Sequence, residues 1–347
     1  MEEVIARQSL KQVNHGLFHH FKKVLLQDST TIKLSQAMLE RFKGNVSGGK
    51  QKSVAKVNVV LDVLKGSCPV IELMSFTVNE QKLSDSILAI AKAGDLVIRD
   101  LGYFVLPIFK AMDIAKVYFL SRLKFNVCLY DVESGKKINL AQLLKGKTWV
   151  DTQVICGKEE QLKVRIVAIK LSAAQAGERR RKAKQDRDQR LKHSEEYFEL
   201  LGFVIFISNI GKEVWDYRQI AEAYRIRWNI EILFKSWKSC FKIEAMMPED
   251  ISNTARIESF IYLLLLYIAW FQLLIFMPFR WMIQQRYNKH LSIIKAAKYV
   301  MTNFADWLFE DISRQALKKL AYSCCYDVRH DRTNAVATLE QFYKPLG

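Results

Sequence analysis

The sequence predicts an α/β protein in which strands and helices alternate up to about residue 245, followed by a helical C-terminal region. Short runs rich in β-branched residues, such as VNVVLDV and FVIFISNI, have the length and composition of buried strands. Between them, KLSDSILAIAKAG has helical periodicity and ends at Gly94, a residue type common after helix C-termini. After residue 245 the periodicity is mostly helical.

The composition indicates an ordered globular protein with a polyanionic partner. The chain has 347 residues, 50% of them hydrophobic, with only 14 Gly and 5 Pro. Its 53 basic and 36 acidic residues give a net charge of +17, which favours nucleic acid but also fits a ribosomal, nuclease or membrane-surface protein. Six cysteines without a C-x2-C pair indicate reduced thiols in a cytosolic protein, and the N-terminus lacks a signal-peptide pattern.

The N-terminal part of the chain predicts a short helix over residues 1–22 and then three strands. VLLQDSTTIKL has Asp28 at or near the end of the first strand, although an aspartate beside Ser and Thr also suits a turn. The polar segment FKGNVSGGKQKSVAK predicts a loop. VNVVLDVLKG and PVIELMSFTV then predict a hairpin that turns at Gly66 and Ser67.

A second aspartate follows the fourth predicted strand. In DLVIRDLGYF, Asp100 comes where a parallel strand gives way to a loop, the usual edge for ligand sites in α/β sheets. Asp95, at the start of this strand, is the competing acidic residue, and we expect it to have a surface or capping role. A helix from Leu106 to Ala115 and a fifth strand, KVYFLSRLKF, complete this part.

The next segment predicts an inserted antiparallel sheet and a basic helix. FNVCLYDV, KTWVDTQVIC and QLKVRIVAIKL alternate apolar with polar residues, as half-exposed strands do. The basic stretch from Ala176 includes Arg180 and Arg181 and suits a phosphate backbone, while a solvated helix with pairs to Asp186 and Asp188 is an equal alternative. FVIFISNI, from Phe203, returns as a strand.

The segment from Tyr224 to Lys238, YRIRWNIEILFKSWK, predicts a helix with two distinct faces. One arc of about 60° carries a polar stripe of Tyr224, Arg227, Glu231 and Lys238, with Lys235 close by. A separate arc of about 100° carries the apolar side chains Ala223, Ile226, Ile230, Leu233, Phe234, Trp237 and Phe241. The stripe suits a site that holds a metal ion against a phosphate chain, whereas periodicity alone favours an exposed, ion-paired helix.

The most apolar stretch runs from Phe260 to Phe279, with Gln272 its only strongly polar member. Its length is sufficient to span a bilayer. Because it stands alone, contains Pro278 and follows a region with mixed charges, we expect a helix buried on both sides rather than a membrane helix.

The pattern Tyr-x2-Arg-x3-Glu-x6-Lys within YRIRWNIEILFKSWK resembles the signature of DDE transposases of bacterial insertion sequences, in the IS-four group. The resemblance implies an RNase H-like core with a β-rich insertion between the second Asp and the Glu. The implied parts are a short helical segment (1–22), the first part of the core (23–118), the insertion (119–200), the rest of the core (201–245) and a helical C-terminal region (246–347).

The same resemblance implies the site. Asp28, Asp100 and Glu231 would be catalytic and would bind two Mg²⁺ or Mn²⁺ ions, whose preferred ligands are oxygens. Tyr224, Arg227 and Lys238 would contact DNA phosphates. The other expected DNA-binding residues are Lys235, Arg180, Arg181 and Phe203. The resemblance also implies an aromatic residue that stacks on a flipped base, which would be Phe203 or Trp149. Because aromatic residues in strands are usually core, we expect both to be core instead.

The implied function is cut-and-paste transposition by a cytoplasmic, nucleoid-associated homodimer that binds double-stranded DNA and no membrane. Relatives have a larger helical domain before the first aspartate, so either this chain starts late or the basic insertion recognises the DNA ends. The alternatives are an RNase H-fold nuclease without strand transfer and an inactive remnant that only binds DNA. A membrane protein, based on residues 260–279, is the alternative from another class.

Overall fold

The computed structural model is a mixed α/β protein, and it describes residues 16–185, 194–247, 253–303 and 314–326. The chain divides into two compact units. Unit 1 is drawn from residues 1–19, 23–82 and 225–347, and unit 2 from residues 20–22 and 83–224. The helix predicted for residues 1–22 lies mostly outside the described residues, and a short 3₁₀ helix, Gly16–Phe18, falls within it.

The strands and helices were numbered along the chain. The strands are β1 (Val24–Lys33), β2 (Lys43–Ser47), β3 (Lys50–Asp62), β4 (Ser67–Ser75), β5 (Leu96–Arg99), β6 (Tyr118–Arg122), β7 (Leu129–Tyr130), β8 (Trp149–Cys156), β9 (Leu162–Lys170) and β10 (Phe203–Ser208). The helices are α1 (Leu106–Ile114), α2 (Leu140–Leu144), α3 (Ala173–Lys184), α4 (Glu195–Leu200), α5 (Tyr217–Tyr224), α6 (Trp228–Ser239), α7 (Thr254–Trp270), α8 (Met277–Tyr287), α9 (Ile293–Thr302) and α10 (Arg314–Ser323).

In unit 1, β3 is the central strand and pairs antiparallel with β1, β2 and β4. The hairpin predicted for β3 and β4 is confirmed. The loop predicted from Phe42 onward is wrong, because β2 and the start of β3 form a hairpin there. Gly48 and Gly49 have φ values of +61° and +74°, and this conformation allows the two-residue turn between these strands.

Asp28 lies within β1, opposite Val59, and the expectation that it ends the strand is wrong. The strand continues through Thr30, Thr31 and Ile32 to Lys33. These three residues are β-branched and favour extended backbone. The β-branched residues after Ser29 therefore favour continuation of the strand, although the Asp28-Ser29 pair alone suggests a turn.

In unit 2, the strand order is β5, β6, β10, β9, β8 and β7. β5 and β6 are parallel, as predicted, and the other neighbouring pairs are antiparallel. The predicted strand FNVCLYDV is reduced to Leu129–Tyr130, because residues 124–127 form a turn closed by the Val127 amide and the Lys124 carbonyl. Asn126, a residue type that favours turns, lies inside it.

A helix is present where KLSDSILAIAKAG predicts one, but it is a 3₁₀ helix, Glu80–Ala89, and it ends before Gly94. Two serine hydroxyls within it bond to backbone carbonyls: Ser86 Oγ donates to Leu83 and Ser84 Oγ to Tyr103. Such bonds compete with regular helical hydrogen bonding. One of these bonds is local, and the other, from Ser84 to Tyr103, is a tertiary contact.

The helix predicted across Tyr224–Lys238 is interrupted. α5 ends at Tyr224, a 3₁₀ turn covers Arg225–Arg227, and α6 begins at Trp228. A single projection at 100° per residue therefore does not describe this segment. The predicted apolar arc is nonetheless confirmed, since all seven of its side chains are buried: Ala223, Ile226, Ile230, Leu233, Phe234, Trp237 and Phe241.

The apolar stretch forms α7, a π-helical turn (Phe271–Phe276) and α8. The expectation of burial on both sides is wrong, because Leu263 and Leu266 are 62% and 66% exposed on one face of α7. Within the part of the chain that the structure describes, Thr254–Tyr287 is the one helical stretch whose length and composition suffice to cross a membrane. Partly buried helices of soluble proteins meet the same criteria.

The last residue of β3 carries a buried carboxyl group that accepts hydrogen bonds from the turn to β4. Asp62 is 2% exposed, and its Oδ1 accepts hydrogen bonds from the amides of Leu64 and Lys65. Burial raises the pKa of this carboxyl, while the two amide bonds act in the opposite direction. Because its pKa is higher in the folded than in the unfolded chain, Asp62 favours folding at low pH, and this contribution is lost as the pH rises through the folded pKa.

Asp62→Asn is therefore expected to increase the free energy of unfolding at about pH 7 and to have little effect near about pH 4. Asparagine keeps the acceptor oxygen for both amides and has no charge to bury. Urea unfolding at the two pH values measures the difference. Asp131→Asn is the opposite control, because hydrogen bonds from Ser134 lower the pKa of Asp131. A loss of stability at neutral pH in Asp62→Asn would contradict the assignment.

Candidate active site

Two of the predicted acidic residues share one guanidinium in unit 1. Arg227 Nη1 lies 3.3 Å from Asp28 Oδ2, and Arg227 Nη2 donates to Glu231 Oε1. Arg227 and Asp28 are 199 positions apart in the sequence, whereas Arg227 and Glu231 are separated by one helical turn. Folding thus brings the carboxylates of β1 and α6 onto a common cation.

This cluster is half-enclosed. The side chains of Arg227, Asp28 and Glu231 are 16%, 20% and 40% exposed, so water reaches Glu231 most easily. The guanidinium of Arg227 thus contacts an oxygen of each of the two carboxylates. Carboxylate oxygens from rigid elements suit a hard divalent cation. Across the described residues, no group of three or more His, Cys, Asp or Glu side chains is arranged to hold a metal ion.

Asp100 directly follows β5 in unit 2, as predicted, and precedes a 3₁₀ turn over Leu101–Tyr103. Its Oδ1 accepts a hydrogen bond from Arg122 Nη2 at 3.1 Å, and both side chains are about one-third exposed. Asp95 is 1% exposed, so the expected surface role is wrong, but it caps the preceding turn by accepting from the Lys92 amide. Of the two aspartates in this segment, Asp100 is therefore the accessible one.

The backbone before Asp100 is held by the side chains of Arg99, which has no role in the sequence prediction, and Tyr224, which was expected to contact phosphate. Arg99 is fully buried, and its guanidinium donates to Ser84 Oγ at 2.9 Å and to the Ser84 carbonyl. Burial lowers the pKa of Arg99 to about 9. The Tyr224 hydroxyl donates to the Arg99 carbonyl at 3.3 Å. An arginine inside an apolar strand, LVIR, was the available sequence signal.

The other predicted DNA-binding residues occupy exposed positions with different local partners. Lys235 and Lys238 are exposed on α6 in unit 1. On α3, Arg180 Nε donates to the Phe198 carbonyl, and Arg181 pairs with Glu178 one turn away. Of the two alternatives for the basic segment, intrahelical pairing is thus present at Arg181, although the partners predicted for it, Asp186 and Asp188, lie outside the described residues.

The two aromatic candidates differ in exposure. Phe203 is half-buried at the start of β10, and its carbonyl accepts a hydrogen bond from Arg179. Trp149 is 47% exposed, so the alternative that it belongs to the core is wrong. Its ring stacks on Tyr217 with centroids 4.4 Å apart and 3° between the planes, and the Arg218 guanidinium lies 5.4 Å from the Tyr217 centroid. No sequence signal links β8 to α5 in this way.

A family model described as "Transposase DDE domain" matches residues 19–268 of the chain. The chain belongs to the DDE transposases. Curated relatives include the transposase for insertion sequence element IS231F of Bacillus thuringiensis subsp. israelensis, which is 29% identical over 82% of this chain and 63% of its own length. The transposase for insertion sequence element IS1151 of Clostridium perfringens is 27% identical over 73% of this chain and 57% of its own length.

This DDE transposase spans about three fifths of the length of those relatives. Among solved structures, the piggyBac transposase in a synaptic complex with hairpin DNA gives a TM-score of 0.46 at 9% identity, covering 92% of this chain and 61% of that one. A TM-score this low does not establish a common fold. The family assignment therefore rests on the sequence of residues 19–268, which include Asp28, Asp100 and Glu231.

Proposed function

We propose that this DDE transposase cleaves transposon DNA ends in a metal-dependent reaction and transfers the resulting 3′-hydroxyl to a target DNA. Asp28, Asp100 and Glu231 are the three acidic residues of the reaction in this proposal. The observation that carries it is the shared guanidinium of Arg227, because two carboxylates from distant parts of the chain converge on one cation. Membership of the family supports the same assignment.

The carboxylate donors fit Mg²⁺ or Mn²⁺, and we propose two ions per active site, as the resemblance implies. Bound divalent ions would supply Lewis-acid activation of water or a 3′-hydroxyl and stabilise charge on the leaving oxygen. Asp28 and Glu231 hold their oxygens toward the same point in unit 1. In this proposal Asp28 and Glu231 would hold the metal, and the planar guanidinium of Arg227 beside them would suit a bidentate contact with a phosphate.

The finer architectural and cellular predictions belong to the same proposal. An RNase H-like core is supported in unit 1 by antiparallel β1, β3 and β4, and in unit 2 by the parallel pair of β5 and β6. The active form in this proposal is a homodimer that brings two DNA ends together in the cytoplasm, associated with the nucleoid. Its net charge of +17 supports a DNA partner.

Contacts to DNA phosphates are proposed for the exposed lysines of α6 and for the arginines of α3. Lys235 and Lys238 carry their charges into solvent on unit 1, and Arg180 and Arg181 do so on unit 2. The proposed base-stacking residue is Phe203 or Trp149, and the exposed stack of Trp149 on Tyr217 favours Trp149. The Arg218 guanidinium extends this stack with a cation.

Replacing Lys235 and Lys238 together by glutamine is expected to weaken the salt dependence of DNA-end binding. The slope of the logarithm of the binding constant against the logarithm of the salt concentration should fall in magnitude by about 2, because each phosphate contact releases counterions. Fluorescence anisotropy of a labelled end duplex across a series of salt concentrations measures the slope. Lys50→Gln, at an exposed position in the β2–β3 hairpin, is the matched control. Equal slopes in the double variant and the wild type would remove both lysines from the DNA interface.

The proposed function is tested by incubating the protein with duplexes that contain its flanking DNA ends and Mg²⁺. We expect 3′ nicks at the end and, with target DNA present, products joined through the 3′-hydroxyl. Nicks without joined products would favour a nuclease. Tight binding without nicks in either Mg²⁺ or Mn²⁺ would favour a remnant that only binds DNA.

A further inference from the structure

We infer that Tyr224 is a positioning residue that fixes the backbone carrying Asp100, acting through the carbonyl of Arg99. This inference rests on the proposed function of Asp100. It assigns to Tyr224 a function other than the phosphate contact that the sequence resemblance implies.

The contacts of Tyr224 fix the end of β5. The hydroxyl donates to the Arg99 carbonyl at 3.3 Å, and Arg99 is the last residue of β5. The ring lies against Phe206, with centroids 5.1 Å apart. Tyr224 is also the last residue of α5, so the hydrogen bond ties the end of this helix to the end of the strand. The next residue along the chain is Asp100.

The side chain of Arg99 holds the same segment from the other direction. Its guanidinium is bonded to Ser84, and Ser84 Oγ in turn donates to the Tyr103 carbonyl at 2.8 Å. The Tyr103 amide donates to the Asp100 carbonyl at 3.1 Å. The backbone is therefore fixed at residues 99 and 103, on both sides of Asp100.

A fully buried guanidinium is costly unless polar partners and aromatic faces surround it. Arg99 has both, since the rings of Tyr103 and Phe109 lie with their centroids 6.0 Å from its Cζ. Such a group has few alternative arrangements, so it fixes the turn that follows β5. A rigid turn leaves the Asp100 carboxylate only its side-chain rotations, and a displacement of about 1 Å at a reacting group costs up to about 10²-fold in rate.

The hydroxyl of tyrosine has one proton to donate. While that proton is donated to the Arg99 carbonyl, Tyr224 has none to donate to a phosphate oxygen, which can only accept. The Tyr224 hydroxyl can therefore either hold the Arg99 carbonyl or donate to a phosphate, but it cannot do both at once. They predict different results for a variant that lacks only the hydroxyl.

Tyr224→Phe keeps the ring against Phe206 and removes the hydroxyl. We expect its affinity for the DNA end and its salt slope to stay within about twofold of wild type, while cleavage falls about tenfold and half-maximal cleavage needs several-fold more Mg²⁺. Ser84→Ala, which removes the bond to Tyr103, should shift the Mg²⁺ dependence in the same direction. Tyr322→Phe, at an exposed position on α10, should change none of these quantities.

A weaker DNA affinity and a lower salt slope in Tyr224→Phe, with unchanged Mg²⁺ dependence, would overturn the inference in favour of a phosphate contact. A variant that behaves as wild type in all these assays would also overturn it. Hydrogen exchange gives a result that is independent of catalysis: the amides of Tyr103 and Phe104, which close the turn after Asp100, should exchange faster in Tyr224→Phe and as in wild type in Tyr322→Phe. If the wild-type protein fails to cleave DNA, the proposed function fails, and the exchange experiment still decides whether Tyr224 braces this turn.

Discussion

Replacing Glu231 by glutamine is expected to lower metal-dependent DNA cleavage by about 10³-fold, because the loss of a proposed anionic metal ligand would remove several kcal/mol of transition-state stabilisation. Glutamine has the same shape and retains a hydrogen-bond acceptor for Arg227, so α6 should remain in place. Asp28→Asn and Asp100→Asn are expected to give losses of the same order. Binding to the DNA end should be largely retained in all three variants, because removing a negative charge does not add repulsion with the DNA.

Cleavage is measured from the nicked product of an end duplex in Mg²⁺, and binding from anisotropy with the same duplex. Glu258→Gln is the matched control in unit 1, because its carboxylate is held by the exposed Arg41 and by no residue of the proposed site. It should cleave as wild type does. Wild-type cleavage by a variant at Asp28, Asp100 or Glu231 would remove that residue from the site.

Replacing Arg165 by methionine is expected to destabilise unit 2 by about 3–5 kcal/mol, because it leaves the buried Asp151 carboxylate without its cation. The two side chains are 4% and 7% exposed and form two parallel hydrogen bonds of 2.8 Å. Arg165 Nη1 also donates to the carbonyls of Ile210 and Trp215, so the same guanidinium joins β9 to the segment before α5. The midpoint of urea unfolding and the hydrogen exchange of the β8 and β9 amides report the loss.

The double variant Asp151→Leu and Arg165→Met is the informative comparison. Removing both charges should recover much of the stability, since the desolvation cost of the ion pair disappears together with its attraction. Lys212, which lies 3.8 Å from Asp151 with a mostly exposed side chain, is too solvated to replace Arg165. A single variant as stable as wild type would show that the buried pair contributes little to unit 2.

Much of the fold could be predicted because burial repeats along the sequence with the period of the element. The seven apolar residues of the arc predicted around YRIRWNIEILFKSWK recur at helical spacing, and all seven are buried in the structure, whereas Trp228 lies off the arc and is 37% exposed. Likewise, the apolar run before Asp100 predicts a strand, and its end at Arg99 leaves Asp100 at the start of a turn. The break at Arg225–Arg227 was not predictable in this way, because a 3₁₀ turn preserves the apolar positions while changing the hydrogen-bond pattern.

The partners of the charged residues had no such local signal. Asp28 and Arg227 are 199 positions apart, and their contact exists only because β1 and α6 pack in the same unit. The strand LVIR signals that Arg99 is unusual, but only the structure shows its partners, Ser84 and the rings of Tyr103 and Phe109. Leu263 and Leu266 of α7 are apolar residues that are exposed, because an unbroken apolar run does not show which of its sides is covered.

The sequence by itself determined the family, the strands and helices with clear periodicity, and which acidic residues are candidates for the active site. These are properties of residue types at fixed spacings, and every copy of the chain has them before it folds. Only the tertiary structure decided that Arg227 bridges Asp28 and Glu231 and that Tyr224 bonds to the strand end before Asp100. Hydrogen bonds and ion pairs form over a few ångströms, and folding alone brings side chains from distant parts of the chain within that range.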